Sequence, residues 1–325
     1  MELGCETNKS NNNKYKPLQK IGIGGFSNVY LTEDQITNKL YAMKILKKLT
    51  PSFKKEISMH EKVSLIKNPY IINLIDYGKI PIKYSQRPLE KKHFAILEYA
   101  SKGELYDYIY YTINGLREKY AKLIFRKILK GVEAIHNLGI CHRDLKMQNI
   151  LLDEFFNPKI CDFGFATEII EKDGSDKLNE FVGTLNYAAP ELLLNRPYNG
   201  IKVDIFSLGV ILINLVTKKL GFLQAHKSDK YYNFIINKEY NFYWKSVKGQ
   251  MKEISDELKN LYLKMISFNP DERPNIEEIL NDPWMKEIND LNENEYKRLE
   301  TEVSKEFKRL ENIISNKNNK GNNIL

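Results

Sequence analysis

Residues 142–149 read His142, Arg143, Asp144, Leu145, Lys146, Met147, Gln148 and Asn149, and three of them could divide one phosphoryl transfer between them. A carboxylate such as Asp144 can accept the proton of an attacking hydroxyl. An ammonium just beyond it, at Lys146, can steady a migrating phosphoryl group, and an amide oxygen at Asn149 can ligate a metal ion. Asp162, heading the triplet Asp162, Phe163 and Gly164, is a second hard oxygen donor of the kind Mg²⁺ takes together with phosphates and water. Upstream, in the run from Ile21 to Tyr30, Gly22 and Gly24 lack Cβ atoms and would let backbone amides come close to a polyphosphate. Lys44 lies inside the apolar run Leu40–Leu46, where a lysine is unusual without a partner.

These groups need elements to bring them together. Ile150, Leu151 and Leu152, the turn over 154–158 and the run to Cys161 predict a short hairpin that delivers Asp162 beside the 142–149 segment. Short strands are expected over Tyr15–Tyr99, with one helix near Ser52–Val63. That helix offers Glu56 and Glu61 as partners for Lys44, and helical register favours Glu56. The stretch Lys79–Lys92, with Pro81 and Pro88, reads as a loop inserted between strands. Helical patterns dominate from Leu105 to Trp284, among them Tyr120–Asn137 and Val203–Leu215. At Glu98, Tyr99 and Ala100 the chain leaves the sheet, so backbone donors and acceptors become open to a ligand there. Met1–Lys14, polar and without periodicity, is expected to be disordered. After Trp284, the residues Ile288, Leu291, Leu299, Val303, Phe307, Leu310 and Ile314 recur at helical spacing among charges. That amphipathic helix could pack on the larger part of the chain, pair as a coiled coil or block a substrate groove. Disorder is expected again from Ser315.

Composition narrows the classes. A chain of 325 residues that is 42% hydrophobic can bury a large core and divide into two lobes. The longest apolar run, near Leu208–Val216, is broken by Gly209 and Asn214 and reads as too short to span a bilayer. No signal peptide or myristoylation glycine is evident, so a soluble, cytoplasmic location with nuclear access is expected. Cys5, Cys141 and Cys161 have no metal-binding spacing and are odd in number, against a disulfide framework. A net charge of +8, from 50 basic and 42 acidic residues, is spread along the chain as a solvated surface. No nucleic-acid module is visible.

Taken in order, the glycine run, Lys44, the 142–149 octet, the Asp162 triplet and Ala189, Pro190, Glu191 resemble the signature set of eukaryotic protein kinases. The resemblance covers residues 15–285 and implies an α+β bilobal fold, with a small β-rich lobe over 15–98 and a larger helical lobe over 102–285. Residues 286–325 then form a tail. It implies ATP and Mg²⁺ as cofactors, protein substrates and a monomer whose tail helix regulates. Asp144 becomes the base, Lys146 the charge stabiliser, and Asn149 and Asp162 the metal ligands. Lys44, paired with Glu56, holds the nucleotide phosphates beneath Gly22 and Gly24. Ile21, Val29, Ala42 and Leu151 sandwich adenine, Leu97 closes the back of that pocket, Glu98 and Ala100 offer backbone groups, and Glu104 reaches the ribose. Asp204 is expected to anchor the octet, and Arg273 to pair with Glu191.

Departures from the family pattern are as informative as the matches. Ser27 replaces a glycine, Phe206 a tryptophan, Met147 a proline and Gln148 a glutamate. The last change weakens any preference for a basic residue on the substrate. Lys146 and the run Gly183–Tyr187 look like the serine/threonine type, most similar to calmodulin-dependent and AMP-activated-type kinases, with Thr184 expected near Asp144 and Lys146. Where relatives carry an activating phosphothreonine this chain has Glu180, so basal activity without loop phosphorylation is expected. Thr167 stands where some relatives place a basic partner, and Ser175 is the alternative switch. A non-catalytic binding module would need a lost motif residue. A small-molecule phosphotransferase would lack the segment at Ala189–Glu191.

Overall fold

The computed structural model describes residues 14–48, 51–84, 87–169, 177–247 and 253–321, so Cys5, Ser175 and all but the last residue of Met1–Lys14 lie outside the described residues. It divides into two compact units, the first ending at Ser101 and the second beginning at Lys102.

The first unit is a five-stranded antiparallel sheet carrying one helix. The strands are β1 (Tyr15–Ile23), β2 (Ser27–Asp34), β3 (Leu40–Leu46), β4 (Leu74–Tyr84) and β5 (Arg87–Glu98), ordered β1-β2-β3-β5-β4, and helix α1 (Pro51–Ser64) lies between β3 and β4 in sequence. Alternation along β3 sets the two faces. Met43 and Ile45 join Tyr15 and Ile96 in one buried cluster. On the other face, Phe53 and Ile57, one helical turn apart on α1, pack with Leu46 and Ala95. The expected loop over Lys79–Lys92 is instead an extension of the β4–β5 hairpin, with Ile80 opposite Lys92, Ile82 opposite Glu90 and Tyr84 opposite Arg87. Pro81 is tolerated because β4 is an edge strand, where a missing N–H costs no ladder bond on its open side.

The second unit is mostly helical. Helices α2 (Leu105–Tyr111) and α3 (Glu118–Asn137) precede two small ladders, in which β6 (Ile140–Cys141) pairs with β9 (Thr167–Glu168) and β7 (Ile150–Leu152) with β8 (Pro158–Ile160). Then follow α4 (Pro190–Leu193), α5 (Gly200–Thr217), α6 (Lys230–Ile236), α7 (Tyr240–Val247), α8 (Asp256–Met265), α9 (Ile276–Leu280), α10 (Lys286–Asn289) and α11 (Glu293–Gly321). Helix α5 is the axis. By length and composition it could cross a membrane, but 89% of its apolar window is buried inside the unit.

Helix α11 uses its apolar stripe on the unit itself. Leu299, Val303, Phe307 and Leu310 are buried, and the Phe307 ring stacks on Phe156 at 5.8 Å and leans on Tyr108 at 5.3 Å. Charges flank the seam, with Lys127 reaching Glu300 at 2.7 Å and Lys102 reaching Glu311 at 2.9 Å. Contrary to the disorder expected from Ser315, the helix runs on to Gly321. Lys317 stands 5.0 Å from the centroid of the Tyr111 ring, a contact that ties down the extra turns. Phe307→Ala should lower unfolding free energy by about 3–5 kcal/mol, read by urea denaturation. An exposed change on the same helix, Lys308→Ala, should stay within about 0.5 kcal/mol.

Candidate active site

The second unit builds its site on a buried carboxylate. Asp204, on the first turns of α5, is fully buried and accepts from the backbone amides of His142 and Arg143, both at 2.8 Å, and from His136 Nε2 at 2.9 Å. Burial alone would push this carboxyl up. The hydrogen bond and charge of His136, with those of His142, outweigh it and hold Asp204 below the ordinary aspartate value of 3.8. The 142–149 segment is therefore fastened to the most buried helix of the unit at two consecutive amides.

That anchor tolerates an unfavourable backbone. Arg143 and Asp162 have φ of 64° and 63°, a left-handed conformation costing about 1–2 kcal/mol for a residue with a Cβ. Past Arg143, Asp144 turns its carboxylate into a ring of donors. Thr184 Oγ1 donates to Oδ1 at 2.7 Å, while Lys146 Nζ at 2.7 Å and Asn149 Nδ2 at 3.0 Å donate to Oδ2. Lys146 Nζ also reaches Thr184 Oγ1 at 2.8 Å, closing the ring. Thr184 can approach because its neighbour is glycine: Gly183 has φ of 98°, and a Cβ there would lie 2.5 Å from the Arg143 carbonyl.

The donor set fits a hard cation. Asn149 spends its amide nitrogen on Asp144, on the backbone carbonyl at 2.8 Å and on the carboxylate, which leaves its carbonyl oxygen as the ligating atom. Asp162 is exposed, at the end of the β7–β8 hairpin, and the ring of Phe163 beside it is buried 5.3 Å from His142. Among the described residues no cluster of three His, Cys, Asp or Glu side chains forms a metal cage. Oxygen donors of this kind are those Mg²⁺ takes together with waters and phosphate oxygens.

Glu104 and Leu151 face each other across an isolated bridge, beside the bond from the Leu152 amide to the Gly103 carbonyl. Burial and the nearby Asp107 push the Glu104 carboxyl up, against the pull of Lys146. Glu191 and Arg273 form a buried two-pronged pair at 2.7 and 2.8 Å.

The first unit holds its own share. Lys44 Nζ meets Glu56 Oε1 at 2.5 Å, while Glu61 hydrogen-bonds Tyr77. Register sets Val29 opposite Lys44 and Ala42 opposite Leu97, so Val29, Ala42, Lys44 and Leu97 share a face. Ile21 falls where the β1–β2 register slips, between Lys20 and Gly22, and is exposed. The Glu98 amide donates to the Asn73 carbonyl, and the Glu98 carboxylate accepts from Asn73 Nδ2, each at 2.9 Å. Ala100 is buried. Neither a positive φ nor a close neighbour requires glycine at 24 or 25, since added Cβ atoms would meet nothing nearer than 3.5 Å. The bare backbone at this turn suits close approach by a polyphosphate.

Comparison with known proteins agrees with the motif order. The protein kinase domain model matches residues 15–285. This chain belongs to the protein kinase family. Sperm motility kinase 2B of Mus musculus is 33% identical over 274 residues, 84% of this chain and 52% of that protein. A Saccharomyces cerevisiae protein named "putative serine/threonine-protein kinase" is 34% identical over 272 residues, 84% of this chain and 28% of that protein. The kinase chain thus spans about half the length, or less, of these relatives.

Two residues of this kinase site had no sequence signal. His136 reads as an ordinary polar residue near the end of α3, yet it is the third donor to Asp204. Tyr198 accepts from Arg143 Nη1 at 3.0 Å and donates to the Glu180 carbonyl at 2.8 Å, although neither its type nor its spacing marks it. Asp204→Asn leaves one acceptor oxygen for three donors, and should cost about 1.5–3 kcal/mol at neutral pH. The Asp204 carboxyl is lowered on folding, so its stabilisation is complete above 3.8 and fades as pH falls through the lowered value. Melting temperatures of wild type and variant should therefore differ at about pH 5 and converge in stronger acid.

Proposed function

We propose that this kinase transfers the γ-phosphoryl group of MgATP to serine and threonine hydroxyls of proteins. The observation that carries the reading is the Asp144 carboxylate, held by Thr184, Lys146 and Asn149 at 2.7–3.0 Å. A carboxylate so oriented accepts the proton of a substrate hydroxyl as its oxygen bonds to the γ-phosphorus. The bond from that phosphorus to the bridging oxygen then breaks, and ADP leaves with the electron pair. Lys146 sits beside the transferring charge. Lys44, kept extended by Glu56, contacts nucleotide phosphates. Asn149 and Asp162 would hold Mg²⁺, which neutralises phosphate charge when bound. The small side chain of Thr184, bonded to both Asp144 and Lys146, supports an aliphatic hydroxyl as acceptor, as does the serine/threonine designation of the yeast relative.

Glu180 does part of the work of a loop phosphate. Its carboxylate lies 3.4 Å from Arg143 Nη2, but the side chain is 71% exposed. Such a pair contributes at most about 1 kcal/mol, less than a phosphate would, and the bond from Tyr198 to the Glu180 carbonyl carries more of the ordering.

With the purified 325-residue chain, MgATP and serine, threonine and tyrosine peptide libraries, transfer to serine and threonine is expected. Asp144→Asn should lower kcat by about 10²–10⁴-fold with nucleotide affinity nearly kept. Transfer to tyrosine alone, or to no peptide, would overturn the reading. Phosphatase-treated enzyme should stay active, and Glu180→Ala should reduce that activity a few-fold. Complete loss on phosphatase treatment would assign the switch elsewhere in the loop.

A further inference from the structure

A cavity of about 650 Å³ opens within the second unit beside the Asp144 ring. Thr184, which donates to Asp144, and Gln148, between Lys146 and Asn149, line one side, and the end of α5 lines the other. The size is that of a ligand site. Its charge is one-sided. The lining contains Lys218 and Lys219 with tyrosines, asparagines and apolar residues, and no Asp or Glu. Lys218 Nζ donates to the Thr112 carbonyl at 2.9 Å and lies 5.2 Å from the centroid of the Tyr110 ring. Both of these neighbours are neutral. Lys219 is exposed. Gln148 Oε1, on the same wall, is buried with no hydrogen-bond partner, an unfavourable state until a donor arrives.

Resting on the protein-kinase reading above, we propose that this cavity selects acceptor segments carrying an anionic side chain, a carboxylate or a phosphate, near the acceptor hydroxyl. The two ammonium groups and the Asn186 amide meet the anion, and a backbone N–H of the segment satisfies Gln148 Oε1. A basic side chain is disfavoured twice, since it meets two like charges and finds no carboxylate at position 148.

The test separates recognition from catalysis. Binding of the 325-residue chain is measured by fluorescence anisotropy for peptides whose acceptor is replaced by alanine. Aspartate, phosphoserine, alanine or lysine is scanned through each neighbouring position. At one position or more, an anionic peptide should bind at least about tenfold tighter than its lysine counterpart. The preference should weaken with salt and collapse in Lys218→Glu with Lys219→Glu, checked for folding by circular dichroism. Because Lys218 also contacts Thr112, Lys219→Glu alone serves as a second variant and should reduce the preference. Aspartate and phosphoserine binding alike assigns a carboxylate as sufficient, and phosphoserine alone assigns a previously phosphorylated substrate; either supports the cavity's role. Equal binding of all peptides, a preference for lysine, or an anionic preference unchanged in the folded charge-reversed variants overturns it. Anionic preference without phosphate transfer to the matching serine peptides would sink the catalytic reading and leave this one standing.

Discussion

One buried carboxylate sets the geometry on which the second unit's chemistry rests. Asp204 faces the His142 and Arg143 amides and the His136 ring, and so joins helix α5, helix α3 and the 142–149 segment at one point. An unpaired carboxylate at that depth would be strongly unfavourable. With three donors the cost is offset, and removal of any one is felt by the others. Because α5 is buried along nearly its whole length, its position does not adjust to the loop. The loop conforms to the helix.

Strain downstream of the anchor follows from it. With its amide held by Asp204, Arg143 adopts the left-handed backbone that turns Asp144 toward Thr184 and Lys146. A glycine at 183 accepts the close approach from the opposite side. Asn149 then bonds back to the Asp144 carbonyl. Each bond fixes the partner of the next, so the Asp144 carboxylate is oriented before any substrate arrives. Such preorganisation is where a catalytic site gains most of its electrostatic effect.

The periodic elements were legible in the sequence, and the cross-chain partners were not. The helix at 51–64 and the apolar helix at 200–217 follow from spacing, while Lys44 with Glu56 follows from the family resemblance, register choosing Glu56 over Glu61. The hairpin over 79–92 was hidden because two prolines mimic a loop, and the edge position of β4 makes Pro81 harmless. The turns beyond Ser315 were hidden because asparagine-rich sequence has little helical preference, and the tyrosine beneath Lys317 lies far away in sequence. His136 and Tyr198 are ordinary residue types whose roles exist only once α3, α5 and the 177–198 segment are in place. Tertiary partners of this kind leave no local pattern.

Two buried arginines of the second unit show how the same side chain can be a fixed part or a conditional one. Arg273 is fully buried and well answered, with both carboxylate oxygens of Glu191 and the carbonyls of Ser267 and Lys202 as acceptors. Its charge is neutralised by a partner that is itself buried, so nothing in solution alters the pair. Arg143 is nearly as buried, but it holds the neutral Phe165 carbonyl and Tyr198 hydroxyl, and among the described residues its carboxylate partner is the solvent-exposed Glu180. A guanidinium in low dielectric without close charge compensation gains from any anion brought nearer. The segment bearing Glu180 is tied to Arg143 through Tyr198, and Arg143 is tied through its amide to Asp204. Negative charge arriving at that segment therefore acts on the bond network that orients Asp144, whereas the same charge near Arg273 would find its position already taken.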